Sequence, residues 1–452
     1  MSAESTYHTQ WTTRWAFILA ATGSAVGLGN IWRFPYMVGE NGGGAFVLVY
    51  LLCIALIGLP VMMAEIAIGR RGRQSPINSF RTLARLGGHW VGWRYAGWLG
   101  VIAGFFILSF YSVVAGWSLA YVVEAALGVF DGAALQDTEA VFADLVANPA
   151  VLVFWHTVFM LMVGLVVARG VQSGIERAVR ILMPALLLLL VVLVVYAARS
   201  GGFAEGVAFL FAPDFSQIGP QTFLAAMGQA FFTLSLGMGA IMVYGSYLAS
   251  HASIPRTAGA IVAMDTGVAI LAGLAIFPLI FALGLEVESG PALVFETIPL
   301  AFGAMPAGTF FATVFFVLLV FAAWTSAISL IEPLVAYFSE NRAWSRKTSA
   351  WTAVAAIWLV GLASVVSFNV AADVDFFFGM NWFEFIDFTT NNVMLPLGGL
   401  LIALFVAWVL PKSDVMEEIG LGGGRFTLWY TLIRFITPIG VVAVFLNAIE
   451  VI

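Results

Sequence analysis

Eleven apolar stretches, each long enough to cross a lipid bilayer as a helix, dominate the chain. They fall near 14–38, 43–69, 88–123, 151–168, 174–198, 221–248, 257–284, 309–338, 350–368, 382–410 and 427–449. About 20 apolar residues span the hydrocarbon layer as a helix, and within that layer backbone polar groups must find partners inside the protein. Long continuous runs meet this demand as helices, whereas a barrel would need short alternating segments. The composition agrees: 62% of the 452 residues are hydrophobic and 10% charged, against roughly 45–50% and about 25% in soluble domains. A cytosolic enzyme, a nucleic-acid binder and a disordered chain are excluded. The single Cys53 cannot form an intrachain disulfide and has no zinc-site spacing. The polar start, Met1 to Gln10, leads into an apolar run without a small-residue cleavage site, so no cleavable signal peptide is expected. The expected fold class is an all-α membrane protein with 11 transmembrane helices in one domain, 1–452.

Basic residues give the direction, because Lys and Arg gather on the cytoplasmic side. With the N-terminus inside, 17 of the 19 basic residues, from Arg14 through Arg70, Arg71 and Arg73 to Lys412, Arg425 and Arg434, fall at cytoplasmic ends. Only Arg33 and Arg199 lie outside. The expectation is a multi-pass protein of the plasma (cell inner) membrane, its N-terminus cytoplasmic and its C-terminus at Ile452 outside. The outer loops are acidic (Asp131, Asp137, Glu139 and Asp144; Glu286, Glu288 and Glu296) and read as solvated surface.

Two spans are interrupted. The first reads Thr22-Gly-Ser-Ala-Val-Gly-Leu-Gly-Asn30, and the sixth reads Thr233-Leu-Ser-Leu-Gly-Met-Gly239. Glycine costs roughly 1 kcal/mol in a helix interior, and irregular backbone at membrane depth survives only where protein or a wet cavity satisfies it. Glycines can also serve close helix packing. Two such breaks, flanked by hydroxyl residues and five spans apart, point instead to a secondary-transporter site built on a 5+5 inverted repeat. The first repeat is expected over 14–198, the second over 221–410, and an additional eleventh helix over 427–449. Half-helix N-termini at such a site favour a carboxylate, and freed carbonyls a cation.

Gly27-Leu-Gly-Asn-Ile-Trp-Arg-Phe-Pro-Tyr36, Glu40-Asn-Gly-Gly-Gly-Ala-Phe46, Gly228-Gln-Ala-Phe-Phe-Thr-Leu-Ser-Leu-Gly237 and Trp324-Thr-Ser-Ala327 resemble the neurotransmitter:sodium symporter family. The chain is most similar to its prokaryotic eleven-span branch, and within it to the bacterial transporters of multiple hydrophobic amino acids. The resemblance implies a leucine-transporter-like fold and two Na+ sites. The first would use the Ala25 carbonyl, the Asn30 amide, Thr233 and Asp265, with the substrate carboxylate. The second would use the carbonyls of Gly23, Val26 and Ala322 with Thr325 and Ser326. The hydroxyls of Thr325 and Ser326 could equally bond back to their own helix.

Asp265 stands inside the seventh span, where an ionisable residue marks a functional site by default. Chloride-dependent relatives generally carry Asn at that position and Ser one turn later, where this chain has Ala269. Tyr50, Gln229 and Thr233 match the rest of the family's chloride shell. The fixed charge of Asp265 is therefore expected to replace chloride, and no chloride requirement is expected.

The monoamine branch has an Asp where this chain has Gly27, so an α-amino acid fits better here than a carboxylate-free amine. The resemblance implies a substrate site of Ser24, Ala25, Leu28, Gly29, Ile107, Tyr111, Phe232, Thr233, Ser235, Met238, Ser326 and Leu330, with Tyr111 donating to the carboxylate. Met238 occupies a place where the family's leucine transporter has Phe. An unbranched, polarizable side chain repacks around ligands of different size, so aliphatic and aromatic substrates are both expected.

For the gates, the resemblance pairs Arg33 with Asp387 outside, above an aromatic lid of Phe232 and Tyr111. Inside it implies a network of Trp11, Arg14, Ser246 and Tyr247, with Glu340 facing a basic position that here holds His8. Gly174 and Pro184 would bound a segment of the fifth span that unwinds to admit water. Glu65 and Glu332 read as structural or protonated helix-linking acids, His89, His156 and His251 as interfacial, and most of the 15 Trp and 39 Phe as lipid-facing. The reading is a sodium-coupled symporter of hydrophobic L-amino acids, working by alternating access with one or two sodium ions. It is not an enzyme, and its only expected partners are the substrate and the bilayer. A channel or transport-inactive amino-acid sensor of the same fold is the alternative, followed by a proton-coupled permease.

Overall fold

A computed structural model of the chain describes residues 10–448 apart from 286, 288, 289 and 343. His8 and the loop acids Glu286 and Glu288 lie outside the described residues. The described chain is mostly helical and forms no strand; its only pairings of extended backbone are two isolated bridges. Among the described residues, nine helices are long and apolar enough to cross a membrane: Gly44–Gly72, Val91–Ala126, Pro149–Val167, Val171–Ala197, Ile254–Ala282, Gly308–Asn341, Arg346–Val366, Trp382–Val409 and Gly423–Ala443. The first expected span is a bent pair, Arg14–Ala25 and Gly29–Glu40, meeting at 53°. The sixth is likewise two pieces, Pro220–Thr233 and Ala240–Ser246.

Helix boundaries follow local chemistry. Thr13 caps the first helix by accepting the Ala16 N–H at 3.1 Å. Asn381 and Glu384 form a reciprocal capping box at the start of the tenth span. Proline opens several helices within their first turn, among them those at Pro76, Pro149 and Pro220, where its missing N–H is harmless.

Small residues decide how closely the spans approach. A Cβ on Gly69 would lie 1.9 Å from the Met242 carbonyl oxygen, and one on Gly245 3.0 Å from that of Ile66. The second span and the inner half of the sixth therefore touch backbone to backbone, as small-residue helix contacts in membranes do. Glu65, fully buried on the second span, reaches into the sixth span's break and accepts the Gly237 N–H at 2.7 Å. It is a structural linker, in keeping with its expected role.

The aromatic residues correct the sequence reading. Many are core rather than lipid-facing: Trp117, Phe17, Phe34, Phe46, Phe295 and Phe302 are fully buried. His156 is not interfacial either. It is buried against the ninth span, its Nε2 3.1 Å from the Trp358 carbonyl.

Candidate substrate and sodium site

The two breaks lie side by side in the middle of the bundle. In the first, Val26 ends one helix and Gly29 begins the next. In the second, Ser235, Gly237 and Gly239 take positive φ values of 53°, 83° and 77°. Glycine adopts that conformation without strain, whereas Ser235 adopts it against its preference. Its hydroxyl is held by the Ser24 carbonyl at 2.8 Å, so one break pins the other.

Between them is a small, tight cavity of about 30 Å³. Eleven of the twelve expected substrate residues line it: Ser24, Ala25, Leu28, Gly29, Ile107, Tyr111, Phe232, Ser235, Met238, Ser326 and Leu330. Thr233 does not; it faces Asp265 instead. The twelfth lining residue is Gly27, where a Cβ would lie 2.4 Å from Ser326 Oγ and 2.9 Å from Tyr111 Oη. No lining side chain is charged. Polarity comes from hydroxyls and from the two half-helix ends of the first span. The Leu28 N–H donates to Tyr111 Oη at 3.3 Å, placing that oxygen at the start of the second half-helix.

Beside the cavity, Asp265 is fully buried and accepts from Asn30 Nδ2 at 2.8 Å and from Thr233 Oγ1 at 3.1 Å. Both donors are neutral, and Asp265 forms no ion pair among the described residues. A carboxylate there needs a cation to balance it. Asn30 Oδ1 itself accepts the Gly27 N–H at 3.0 Å, which fixes the amide between the break and the acid.

A second oxygen cluster lies where the eighth span meets the first. Ser326 Oγ is 3.3, 3.1 and 3.2 Å from the carbonyl oxygens of Gly23, Ser24 and Val26. One hydroxyl proton cannot satisfy three acceptors, so the cluster carries surplus negative potential. Thr325 Oγ1 bonds back to the Phe321 and Ala322 carbonyls at 3.1 and 3.0 Å. The donor set of carbonyls, hydroxyls and a single carboxylate suits a hard monovalent cation, and no group of three or more His, Cys, Asp or Glu gathers among the described residues.

Tyr50 and Gln229, expected in the chloride shell, are fully buried; Gln229 Nε2 donates to the Gly29 carbonyl at 2.9 Å.

Above the site, toward the end poor in basic residues, is a larger cavity, lined by Trp32, Arg33, Tyr36, Phe383, Asp387 and others. Phe232 and Tyr111 line both cavities and form the partition. Arg33 and Asp387 line the same cavity but form no ion pair among the described residues. The guanidinium lies 4.6 Å over the Phe232 ring, and Asp387 accepts from Asn391 Nδ2 at 2.7 Å.

The opposite end is held together by contacts between the first, sixth and seventh spans. Trp11 donates its indole N–H to Tyr244 O at 3.0 Å and packs edge-on against Tyr247. Arg14 Nε donates to Thr257 at 3.1 Å. Ser246 Oγ turns to the Val243 carbonyl at 2.6 Å.

Glu340, Glu332 and the segment from Gly174 to Pro184 take the following places. Glu340 accepts from Ser75 N at 2.7 Å, Ser75 Oγ at 2.6 Å and Asn78 Nδ2 at 2.7 Å, tying the helix Pro76–Leu86 to the eighth span; His8, expected opposite it, lies outside the described residues. Glu332 links helices, one of the roles expected for it: Arg346 grips it with two bonds of 2.8 and 2.6 Å, and Tyr247 donates at 2.8 Å. The Gly174–Pro184 segment is helical, and Gly174 is required by packing, since a Cβ would lie 2.1 Å from the Val166 carbonyl.

The sequence reading missed Glu176, which is buried and accepts from the Thr12 N–H and hydroxyl and from Arg180 at 2.5 Å. It stands at the fifth span's start among charged neighbours, where no spacing distinguishes it.

A helical membrane protein whose binding cavity sits between two broken spans, with oxygen clusters beside it, belongs architecturally to the secondary transporters. The chain matches the Sodium:neurotransmitter symporter family over residues 8–130 and 145–452, and it belongs to that family. It is a sodium-dependent membrane transporter, not an enzyme. It is 43% identical over 446 residues to an uncharacterized sodium-dependent transporter, YhdH, of Bacillus subtilis, with 98% of each chain covered. It is 26% identical to the sodium- and chloride-dependent GABA transporter 2 of Rattus norvegicus, over 91% of this chain and 74% of that one. The fold matches the crystal structure of MhsT in complex with L-phenylalanine, at 47% identity and a TM-score of 0.90, covering 97% of this chain and 99% of that chain.

Proposed function

We propose that the protein is a symporter of hydrophobic L-amino acids, coupled to two sodium ions and independent of chloride. The observation that carries this is the uncharged, largely apolar cavity set between half-helix ends. The start of the second half-helix and Tyr111 receive the substrate carboxylate. Ile107, Phe232, Met238 and Leu330 surround its side chain, and nothing there pairs a charged one. MhsT, the structural neighbour, holds L-phenylalanine.

The first sodium sits by Asp265, Asn30, Thr233 and the Ala25 carbonyl, and shares the substrate carboxylate. The second sits in the cluster of the Gly23 and Val26 carbonyls, Ala322, Thr325 and Ser326. Asp265 supplies permanently the charge that chloride supplies elsewhere. Substrate and sodium enter through the outer cavity, past Arg33 and Asp387. Closure brings those two together over Phe232, and opening of the Trp11–Tyr247 seal with local unwinding between Gly174 and Pro184 releases the load inside. The membrane is the cell inner membrane, with the N-terminus cytoplasmic, and two inverted five-span repeats rock about the site.

Equilibrium binding of a labelled panel, from leucine and valine to phenylalanine and tryptophan, tests this on purified protein in sodium, in choline, and with chloride exchanged for gluconate. Binding is expected in sodium for apolar amino acids, unchanged in gluconate and lost in choline. Preference for lysine or glutamate, or collapse in gluconate, would refute the substrate or the chloride assignment respectively.

A further inference from the structure

At the end of the tenth span, two cations converge on one ring, and neither forms an ion pair among the described residues. Lys412 Nζ lies 5.1 Å and Arg434 Cζ 5.7 Å from the centre of the Tyr430 ring. Arg434 also lies 4.0 Å from the centre of Trp408. The Tyr430 hydroxyl donates to the Ala407 carbonyl at 2.8 Å, so the ring is fixed against the tenth span.

Two of the nearby acids are already engaged, Glu418 with Arg70 and Asp414 with Arg71, each at 2.5 Å; the third, Glu417, is exposed and forms no ion pair with either cation among the described residues. Among the described residues neither Lys412 nor Arg434 forms an ion pair, and Arg434 Nε is buried without a partner. Trp408 and Phe435, the apolar flank of the cluster, are 53% and 49% exposed on spanning helices, the surface that meets lipid.

Depth fits an interface. Arg434 is eleven residues into its helix, roughly 16 Å at 1.5 Å per residue. Its guanidinium, however, reaches back a turn to Tyr430 and to the last residues of the tenth span, as a snorkelling side chain does. Cation–π contacts can hold two like charges near one ring, but they do not neutralise them. An anion that also carries apolar chains would complete the site.

We propose that Lys412 and Arg434 bind the phosphate headgroup of an anionic phospholipid, whose acyl chains lie along Trp408 and Phe435. Basic clusters beside spanning helices hold such headgroups through charge and shape together.

The test uses the purified full-length protein. Native mass spectrometry counts bound lipid with phosphatidylglycerol or phosphatidylcholine supplied, and thermal unfolding is followed with each lipid and with inorganic phosphate. Phosphatidylglycerol is expected to bind and to raise the melting temperature; phosphatidylcholine and inorganic phosphate are not. Each of Lys412→Gln and Arg434→Gln should weaken phosphatidylglycerol binding roughly fivefold, and Arg434→Lys should retain most of it. Arg199→Gln, at the other end of the molecule, should change nothing. Equal occupancy by phosphatidylcholine, an equal shift with inorganic phosphate, or undiminished binding to the double variant would overturn the proposal. Should the double variant not fold, the comparison of lipids on the unaltered protein decides.

Discussion

At the scale of single residues, the site depends on one missing side chain and one unpaired acid. Gly27 leaves the space in which Ser326 and Tyr111 stand beside the first break, and a methyl group there would press on both. Gly27→Ala is therefore expected to weaken amino-acid binding by at least tenfold while the melting temperature stays within a few degrees. Scintillation-proximity binding and thermal unfolding measure the two separately. Asp265 has only neutral donors, so its charge has work left for a cation. Hydrogen bonds to charged groups contribute about 1.5–3 kcal/mol, so Asp265→Asn should raise the sodium concentration for half-maximal binding tenfold or more. An unchanged sodium dependence would remove Asp265 from the first ion site.

At the scale of elements, the contacts between broken and continuous helices set the conformational balance. Arg346 and Glu332 tie the ninth span to the eighth, and Tyr247 of the sixth joins them. Removing one partner of a buried pair leaves an uncompensated charge, at about 3–5 kcal/mol. Arg346→Gln should lower the melting temperature markedly, and adding Glu332→Gln should restore most of it. Gly69→Val would force the second span from the sixth where backbones now touch, and should reduce folded yield in size-exclusion profiles.

The elements also show how much was legible in the sequence. Continuous spans and both breaks could be read because spanning length and clustered glycines leave strong local patterns. The residues that line the cavity could be named because they sit on, or were carried over with, those motifs; Thr233, expected at both the substrate and the first sodium site, points to Asp265. The hydrogen-bond partners of Glu340 and Glu176, Ser75 and Thr12, were not legible, because they come from distant segments with no periodic signal. His156 failed for the same reason: a lone polar residue in an apolar run reads as interfacial until its neighbour, here the Trp358 carbonyl, is known.

At the scale of the whole molecule, the two ends differ. One carries a cavity reaching down to Phe232 and Tyr111, and the other is tied together by Trp11, Tyr247 and the Glu176 and Glu340 networks. Alternating access requires those closures to exchange, driven by the differential affinity of sodium and substrate for the two states. A cysteine placed on the inner seal, as in Thr12→Cys, should react slowly with a water-soluble maleimide in sodium and faster in potassium; the native Cys53 is buried. Equal rates would mean that sodium does not bias the seal.

Coupling itself is tested most directly by uptake of labelled L-phenylalanine and L-leucine into proteoliposomes, under an inward sodium gradient or with choline replacing sodium. Concentrative uptake in sodium and none above passive leak in choline is the expected result. Equal accumulation without sodium, or sodium-dependent conductance with no accumulation of amino acid, would contradict the account.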